Sequence, residues 1–155
     1  MEIRGYSPED IENIHSVIQR SVRAAYAYYK TDQINAWAAA LDDKKMLQNR
    51  LAKSDVKIAV DNGGRTAGVA SLLNDGVLDL FYVDPCYQRK GVGSRLLLEI
   101  EKSALTDQLN FIETEASVSA FSFFKGKGFK QIRSQHKLVQ EISIKNYQMC
   151  KKLNN

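Results

Sequence analysis

The stretch at residues 77–100, VLDLFYVDPCYQRKGVGSRLLLEI, constrains the fold more than any other in the chain. Residues 77–83 are rich in β-formers and are bounded by Asp75-Gly76 and Asp84-Pro85, which reads as a strand. The loop Gln88-Arg89-Lys90-Gly91-Val92-Gly93-Ser94 follows. Leu96, Leu97, Ile100 and Ala104 then recur at helical spacing. A helix opening straight after a glycine loop leaves its first amides free, and those donors together with the positive end of the helix dipole suit a phosphate. Gly91 and Gly93 let the backbone turn sharply and approach a bulky anion closely. Arg89, Lys90 and Arg95 add positive charge in the same stretch.

Two nucleotide-binding motifs fail here. The Walker A loop requires Gly-x-x-x-x-Gly-Lys-[Ser/Thr], and the Rossmann fingerprint requires Gly-x-Gly-x-x-Gly. Only Gln88-x-x-Gly91-x-Gly93 is present, after a strand ending Tyr82-Val83-Asp84-Pro85 and before Leu96-Leu97. That pattern resembles motif A of the GNAT superfamily of N-acetyltransferases. A second segment agrees. Residues 111–116 read as a strand and 117–125 as a short helix. The run Ala120-x-x-Phe123-Phe124-Lys125-x-x-Gly128-Phe129 resembles the Ala-x-x-Phe-Tyr-Glu-x-x-Gly-Phe signature of the same family.

The rest of the chain fits one domain spanning residues 1–155. Hydrophobic residues make up 44% and charged residues 26% of it. No apolar run approaches the ~20 residues that span a bilayer, and the N-terminus lacks a signal-peptide pattern, so a cytoplasmic protein is expected. Cys86 and Cys150 have neither disulfide nor zinc spacing, and no metal site is expected. A net charge of +4 with an isoelectric point near 9.0 permits a nucleic-acid partner, but no dense basic run argues for one.

Residues 1–5 read as a first strand. Ser7-Pro8-Glu9-Asp10 starts a helix that buries Ile11, Ile14, Val17 and Ile18, with His15 in a structural role. Thr31 is expected to cap a second helix, and a polar helix over 42–52 carries Met46, Leu47 and Leu51 inward. Strands are expected at 57–60 and 66–73 around Asp61-Asn62-Gly63-Gly64, with a turn at Asn74-Asp75-Gly76. Two closing strands, 130–137 and 144–150, join near Gln140-Glu141. This is the GNAT order: an α/β fold with a mixed, mostly antiparallel central sheet whose splayed middle strands are flanked by helices. Tyr28, Tyr29 and Trp37 are dense aromatics that either close the core or wall an acceptor pocket. The pattern Tyr-x-x-x-Gln-Ile-x-Ala-Trp resembles a small bacterial branch of the family described as YafP-like.

The resemblance implies transfer of an acetyl group from acetyl-coenzyme A to a primary amine of a small molecule or peptide, without membrane or nucleic-acid partners. It also implies a possible homodimer. The backbones of Phe81, Tyr82 and Val83 would pair with the pantetheine arm as an added strand, with an N–H near Val83 on the thioester carbonyl. The amides from Gln88 through Arg89, Lys90, Gly91, Val92 and Gly93 to Ser94 would hold the pyrophosphate. Ser117 stands where the family often has a coenzyme-A-contacting asparagine, and Phe124 where it often has an acidic tyrosine. A thiol of pKa ~8.5 leaves as thiolate at a deficit of only about 2 kcal/mol at neutral pH, so Phe124 predicts a slower or differently assisted enzyme. Tyr82, Tyr87 and Tyr147 are alternative donors.

Asp79, expected to share a face with Phe81 and Val83, is the first candidate base, with Glu113, Glu115 or a water chain behind it. It also reads as an ordinary strand polar residue facing solvent or a lysine. A coenzyme A-binding sensor without turnover is the alternative reading of the whole chain.

Overall fold

The computed structural model describes residues 1–153. Seven strands form one sheet in the order β1-β2-β3-β4-β5-β7-β6. They are β1 (Glu2–Gly5), β2 (Ser54–Val60), β3 (Thr66–Leu73), β4 (Val77–Val83), β5 (Phe111–Ser117), β6 (Lys130–Val139) and β7 (Ile142–Lys152). Among the described residues only β4 and β5 pair in parallel. The helices are α1 (Ile11–Arg23), α2 (Thr31–Ala40), α3 (Lys44–Ala52), α4 (Val92–Thr106) and α5 (Phe121–Gly126). The expected α/β order holds throughout, and a turn of 3₁₀ helix at Ala24–Ala27 takes up the tyrosine-rich segment.

Each face of the sheet carries its own core. Ile14, Ile18 and Val22 of α1, with Leu47 and Leu51 of α3, cover Ile58, Val69 and Leu80. Leu96, Leu97 and Ile100 of α4 cover Ala67, Ala70 and Ile112 on the opposite face. Gly68 lets α4 lie close to β3, because a Cβ there would stand 2.9 Å from Leu96 Cδ1 and 3.0 Å from the Tyr82 carbonyl.

The helix starts differ from expectation in two places. Lys30, not Thr31, occupies the cap of α2: its backbone is extended and its N–H donates to Gln33 Oε1 at 2.8 Å. α3 begins at Lys44, because Asp43 Oδ1 accepts from the amides of Lys45 and Met46 and stops the chain from being helical earlier. Ser7 does open the first helical segment, where Asp10 closes back on the Ser7 N–H at 2.8 Å and also takes both amino groups of Arg4.

Two irregularities position the site. β4 and β5 pair only at Val77↔Glu113 and Leu78↔Thr114, and beyond that the strands part. In β4, Ser71 opposes Leu80 while Leu72 opposes Leu78, so Asp79 is the extra residue of a β-bulge. The bulge reverses the alternation: Leu78 packs under α4, whereas Leu80 packs under α1.

Candidate functional site

The glycine loop is built as an anion cradle. Arg89 and Gly91 both adopt left-handed backbone, at φ 60° and 79°, which curls the chain into the start of α4. The first intrahelical bond there runs from the Arg95 N–H to the Gly91 carbonyl at 3.1 Å. The amides of Val92, Gly93 and Ser94 precede it and lack helical acceptors. Space above Gly91 is open, with nothing within 4 Å of where a Cβ would stand. At Gly93 the requirement is packing: a Cβ would meet the Phe123 ring at 3.2 Å. Lys90 lies over the Tyr87 ring at 5.6 Å. Arg95, expected beside the same anion, instead donates to the Met1 carbonyl at 2.8 Å and ties down β1.

The gap between β4 and β5 adjoins this loop. Leu80 turns its N–H toward β3, onto Ser71 Oγ at 3.0 Å. Alternation along the ladder then turns the main-chain groups of Phe81 and Val83 toward the gap. Gln88 Nε2 donates to the Val83 carbonyl there at 3.0 Å. The Phe81 ring leans the other way, stacked on Phe123 at 5.4 Å and tilted against Phe124 at 5.2 Å. Phe124 is 2% exposed and also meets Phe129. It supports β4 from beneath and has almost no surface to offer a ligand.

On the other face, a cavity of about 290 Å³ opens at the splayed ends of the two strands. Tyr29, Trp37 and Tyr82 form its aromatic wall. Trp37 meets Tyr29 edge-on at 5.6 Å, and its Nε1 donates to the Tyr82 hydroxyl at 3.3 Å. Burial pushes the Tyr82 pKa up to about 12, against a smaller downward pull from the Trp37 N–H. The hydroxyl therefore keeps its proton at neutral pH. Tyr29 donates to the Lys145 carbonyl at 2.6 Å and accepts from the Val118 N–H at 2.9 Å, fixing the cavity rim to β7 and to the end of β5. Burial raises its pKa as well, against the Val118 hydrogen bond. Tyr28, a candidate for the same wall, is 56% exposed and lies on the outer surface.

Asp79 lines this cavity with Leu80 and Tyr82, whereas Phe81 and Val83 pack beneath α4. The expected shared face is thus overturned by the bulge. Nor does Asp79 face solvent or a lysine: Arg50 Nε and Nη2 hold its two oxygens at 3.1 and 2.9 Å. No pattern in the sequence marks Arg50, because α3 reads as a polar helix whose outer face meets water. Glu115 also lines the cavity, held by Lys137 at 3.1 Å and Asn146 Nδ2 at 3.3 Å. Ser117 lines it too, with its Oγ accepting from the Ala120 amide at 3.2 Å and meeting Ser119 Oγ at 2.8 Å. Tyr87 turns away, donating to Asp61, and Tyr147 packs on Phe121 at 4.5 Å. No cluster of metal-ligating side chains occurs among the described residues.

Among the described residues the sheet parts between its two parallel strands beside helix-start amides that lack acceptors, an arrangement suited to a phosphate-bearing carrier, and a half-open cavity lies on the other face. Comparisons with known proteins make that class specific. Residues 4–151 match the family model described as an acetyltransferase (GNAT) domain. The chain is 30% identical over 150 residues to the uncharacterized N-acetyltransferase YafP of Escherichia coli K12, covering 96% of this chain and 94% of that one. It is 29% identical over 143 residues to a spermidine N(1)-acetyltransferase of Thermoplasma acidophilum, covering 84% and 88%. The structure of the PaiA N-acetyltransferase of Thermoplasma acidophilum in complex with coenzyme A superposes with a TM-score of 0.83 at 25% identity, covering 98% of each chain. The chain belongs to the GNAT acetyltransferase family. It is an N-acetyltransferase that uses acetyl-coenzyme A as acetyl donor.

Proposed function

We propose that the gap and the cavity are the two halves of one active site, with the acetyl donor entering from the α4 side and the amine from the aromatic side. The observation that carries this reading is the adjacency of the β4–β5 opening to the unbonded amides of Val92, Gly93 and Ser94. The loop from Gln88 to Gly91 and those amides take the pyrophosphate. The main-chain groups of Phe81 and Val83 take the pantetheine arm by strand addition. Gln88 releases the Val83 carbonyl when the arm arrives. The donor supplies the acetyl thioester, and the chain supplies alignment and a polarising N–H near Val83.

An attacking amine of pKa ~10.4 must reach the thioester neutral. Asp79 directly follows the last β4–β5 pair, and it accepts the proton through oxygens that keep a free lone pair beside Arg50. Tyr82 is a hydrogen-bond donor to the sulfur rather than a source of its proton. With a pKa of about 12 against ~8.5 for a thiol, full transfer would be uphill by about 5 kcal/mol. The departing thiolate is stabilised in place and takes its proton later, so no tyrosine is needed where Phe124 stands.

The acceptor is a primary amine of small size. The spermidine relative makes polyamines the first acceptors to try, with amino acids and short peptides beside them. We read the protein as cytoplasmic; no described helix is long and apolar enough to cross a membrane. The test is a thiol-release screen of amines with acetyl-coenzyme A, followed by pH–rate profiles of the wild type and Asp79→Asn. Loss of the acidic limb in the variant is expected, and an unchanged profile would remove Asp79 from the reaction. Tight donor binding without turnover of any amine would favour a sensor.

A further inference from the structure

The cavity's charges are already spent on each other. Two carboxylates line it, Asp79 and Glu115, and each carries a resident cation, Arg50 and Lys137. A ligand with several ammonium groups therefore finds no unclaimed carboxylate there and two cations facing it. What is left over is mostly donor capacity. Arg50 spends Nε and Nη2 on Asp79, which leaves its Nη1 amino group. Lys137 keeps N–H capacity beyond its two contacts to Glu115. Tyr82 accepts from Trp37, which leaves its own hydroxyl proton to donate.

Against these donors stands a neutral acceptor, Asn146 Oδ1. Its orientation follows from chemistry: Nδ2 must face Glu115, because a carboxylate cannot donate. Oδ1 is then buried with no donor among the described residues. A buried acceptor without a donor is costly, and such groups often await a ligand.

We propose that the acceptor is a zwitterionic primary amine of the amino-acid type, whose carboxylate is held by Arg50 and Lys137 while its amine faces Asn146 and Asp79. Arg50 has its fork on Asp79, and its remaining Nη1 group donates a charge-assisted hydrogen bond to the ligand carboxylate beside Lys137. This inference rests on the cavity being the acceptor site. It narrows that site away from polyamines.

The experiment compares matched acceptors: the free amino acids, their carboxamides, and spermidine, each with saturating acetyl-coenzyme A and thiol release as readout. The wild type should favour the free acids over the carboxamides by about tenfold or more in kcat/KM, roughly the worth of one charged hydrogen-bonded contact. Arg50→Gln should lower the acid-to-carboxamide ratio of kcat/KM by about tenfold, whatever it does to both rates through Asp79, and Lys137→Met should lower the ratio more weakly. Arg50→Gln also frees the Asp79 carboxylate, so spermidine turnover should rise in that variant, an effect that mere loss of packing would not produce. Spermidine as the best wild-type acceptor, no turnover of any free acid, or an acid-to-carboxamide ratio unchanged in both variants would overturn the proposal. Trp37→Ala separates the two levels. If it leaves every acceptor KM unchanged, the cavity is not the acceptor site and the inference falls with it. If it raises acceptor KM while the ratio ignores Arg50 and Lys137, only the zwitterion is wrong.

Discussion

Asp79 owes its surroundings to one extra residue in a strand. Had β4 kept a regular ladder, its carboxylate would point beneath α4 with Phe81; the bulge turns it onto Arg50 instead. The Tyr82 hydroxyl is similarly defined by neighbours, since burial holds its proton on and Trp37 fixes its lone pair. Tyr82→Phe should therefore lower kcat by less than about tenfold, well short of the 10²–10⁴ that a lost general acid costs. A fall beyond 10² in steady-state kinetics would show real proton transfer. Tyr29→Phe removes two partly buried hydrogen bonds, to the Lys145 carbonyl and from the Val118 N–H. A loss of about 1–3 kcal/mol in denaturant unfolding is expected, with acceptor KM raised more than donor KM. In the sequence Asp79 stands out as a carboxylate in an apolar strand, Tyr82 by its place before the glycine loop, and Tyr28, Tyr29 and Trp37 by aromatic density. Arg50, Lys137 and Asn146 could not be found that way, because no local pattern links three residues that only the tertiary fold brings together. The wrong face for Asp79 has the same origin: alternation assumes a regular strand, and a bulge leaves no composition signal when its extra residue is not glycine.

At the scale of elements, the glycine loop and α4 were legible because glycine spacing and apolar period act locally. The caps were less so. Lys30 displaces Thr31 because Gln33 reaches back to the Lys30 N–H, a contact that uses the backbone of whichever residue stands there. The loop's two glycines serve different ends, which variants should separate. Gly91→Ala forces a side chain onto left-handed backbone at φ 79° without any clash. A cost of about 1 kcal/mol in stability is expected, with donor KM raised as the cradle distorts. Gly93→Ala keeps a helical backbone but presses on Phe123 at 3.2 Å. That ring abuts Phe81, so stability and donor binding should fall together, and Phe123→Leu in the same chain should restore part of both by making room.

Two buried aspartates contribute an acid sensitivity to the whole molecule. The Arg4 guanidinium, against opposing burial, holds the Asp10 carboxyl below the ordinary aspartate value of 3.8. Burial pushes Asp84 upward, but the Cys86 amide and Arg20 outweigh it and leave that carboxyl below 3.8 as well. Both groups bind protons more readily in the unfolded chain. Their stabilisation is fully present above that ordinary value and is lost as pH falls through the lower folded values. Melting temperature should therefore be level from about pH 5 to 7 and drop below about pH 4. Asp84→Asn should flatten the drop, and an unaltered slope in calorimetry would exclude Asp84 as a source of it. The β4–β5 seam also has a consequence for the folded chain at large. Because β4 and β5 share only two residue pairs, the sheet resembles an arch, and the proposed carrier site puts a small molecule at its keystone. Saturating coenzyme A at ~100 times its Kd adds about 2.7 kcal/mol. Amide hydrogens along the inner edges should then trade with solvent far more slowly once the arch is closed, while those of β1 and β6 keep their pace.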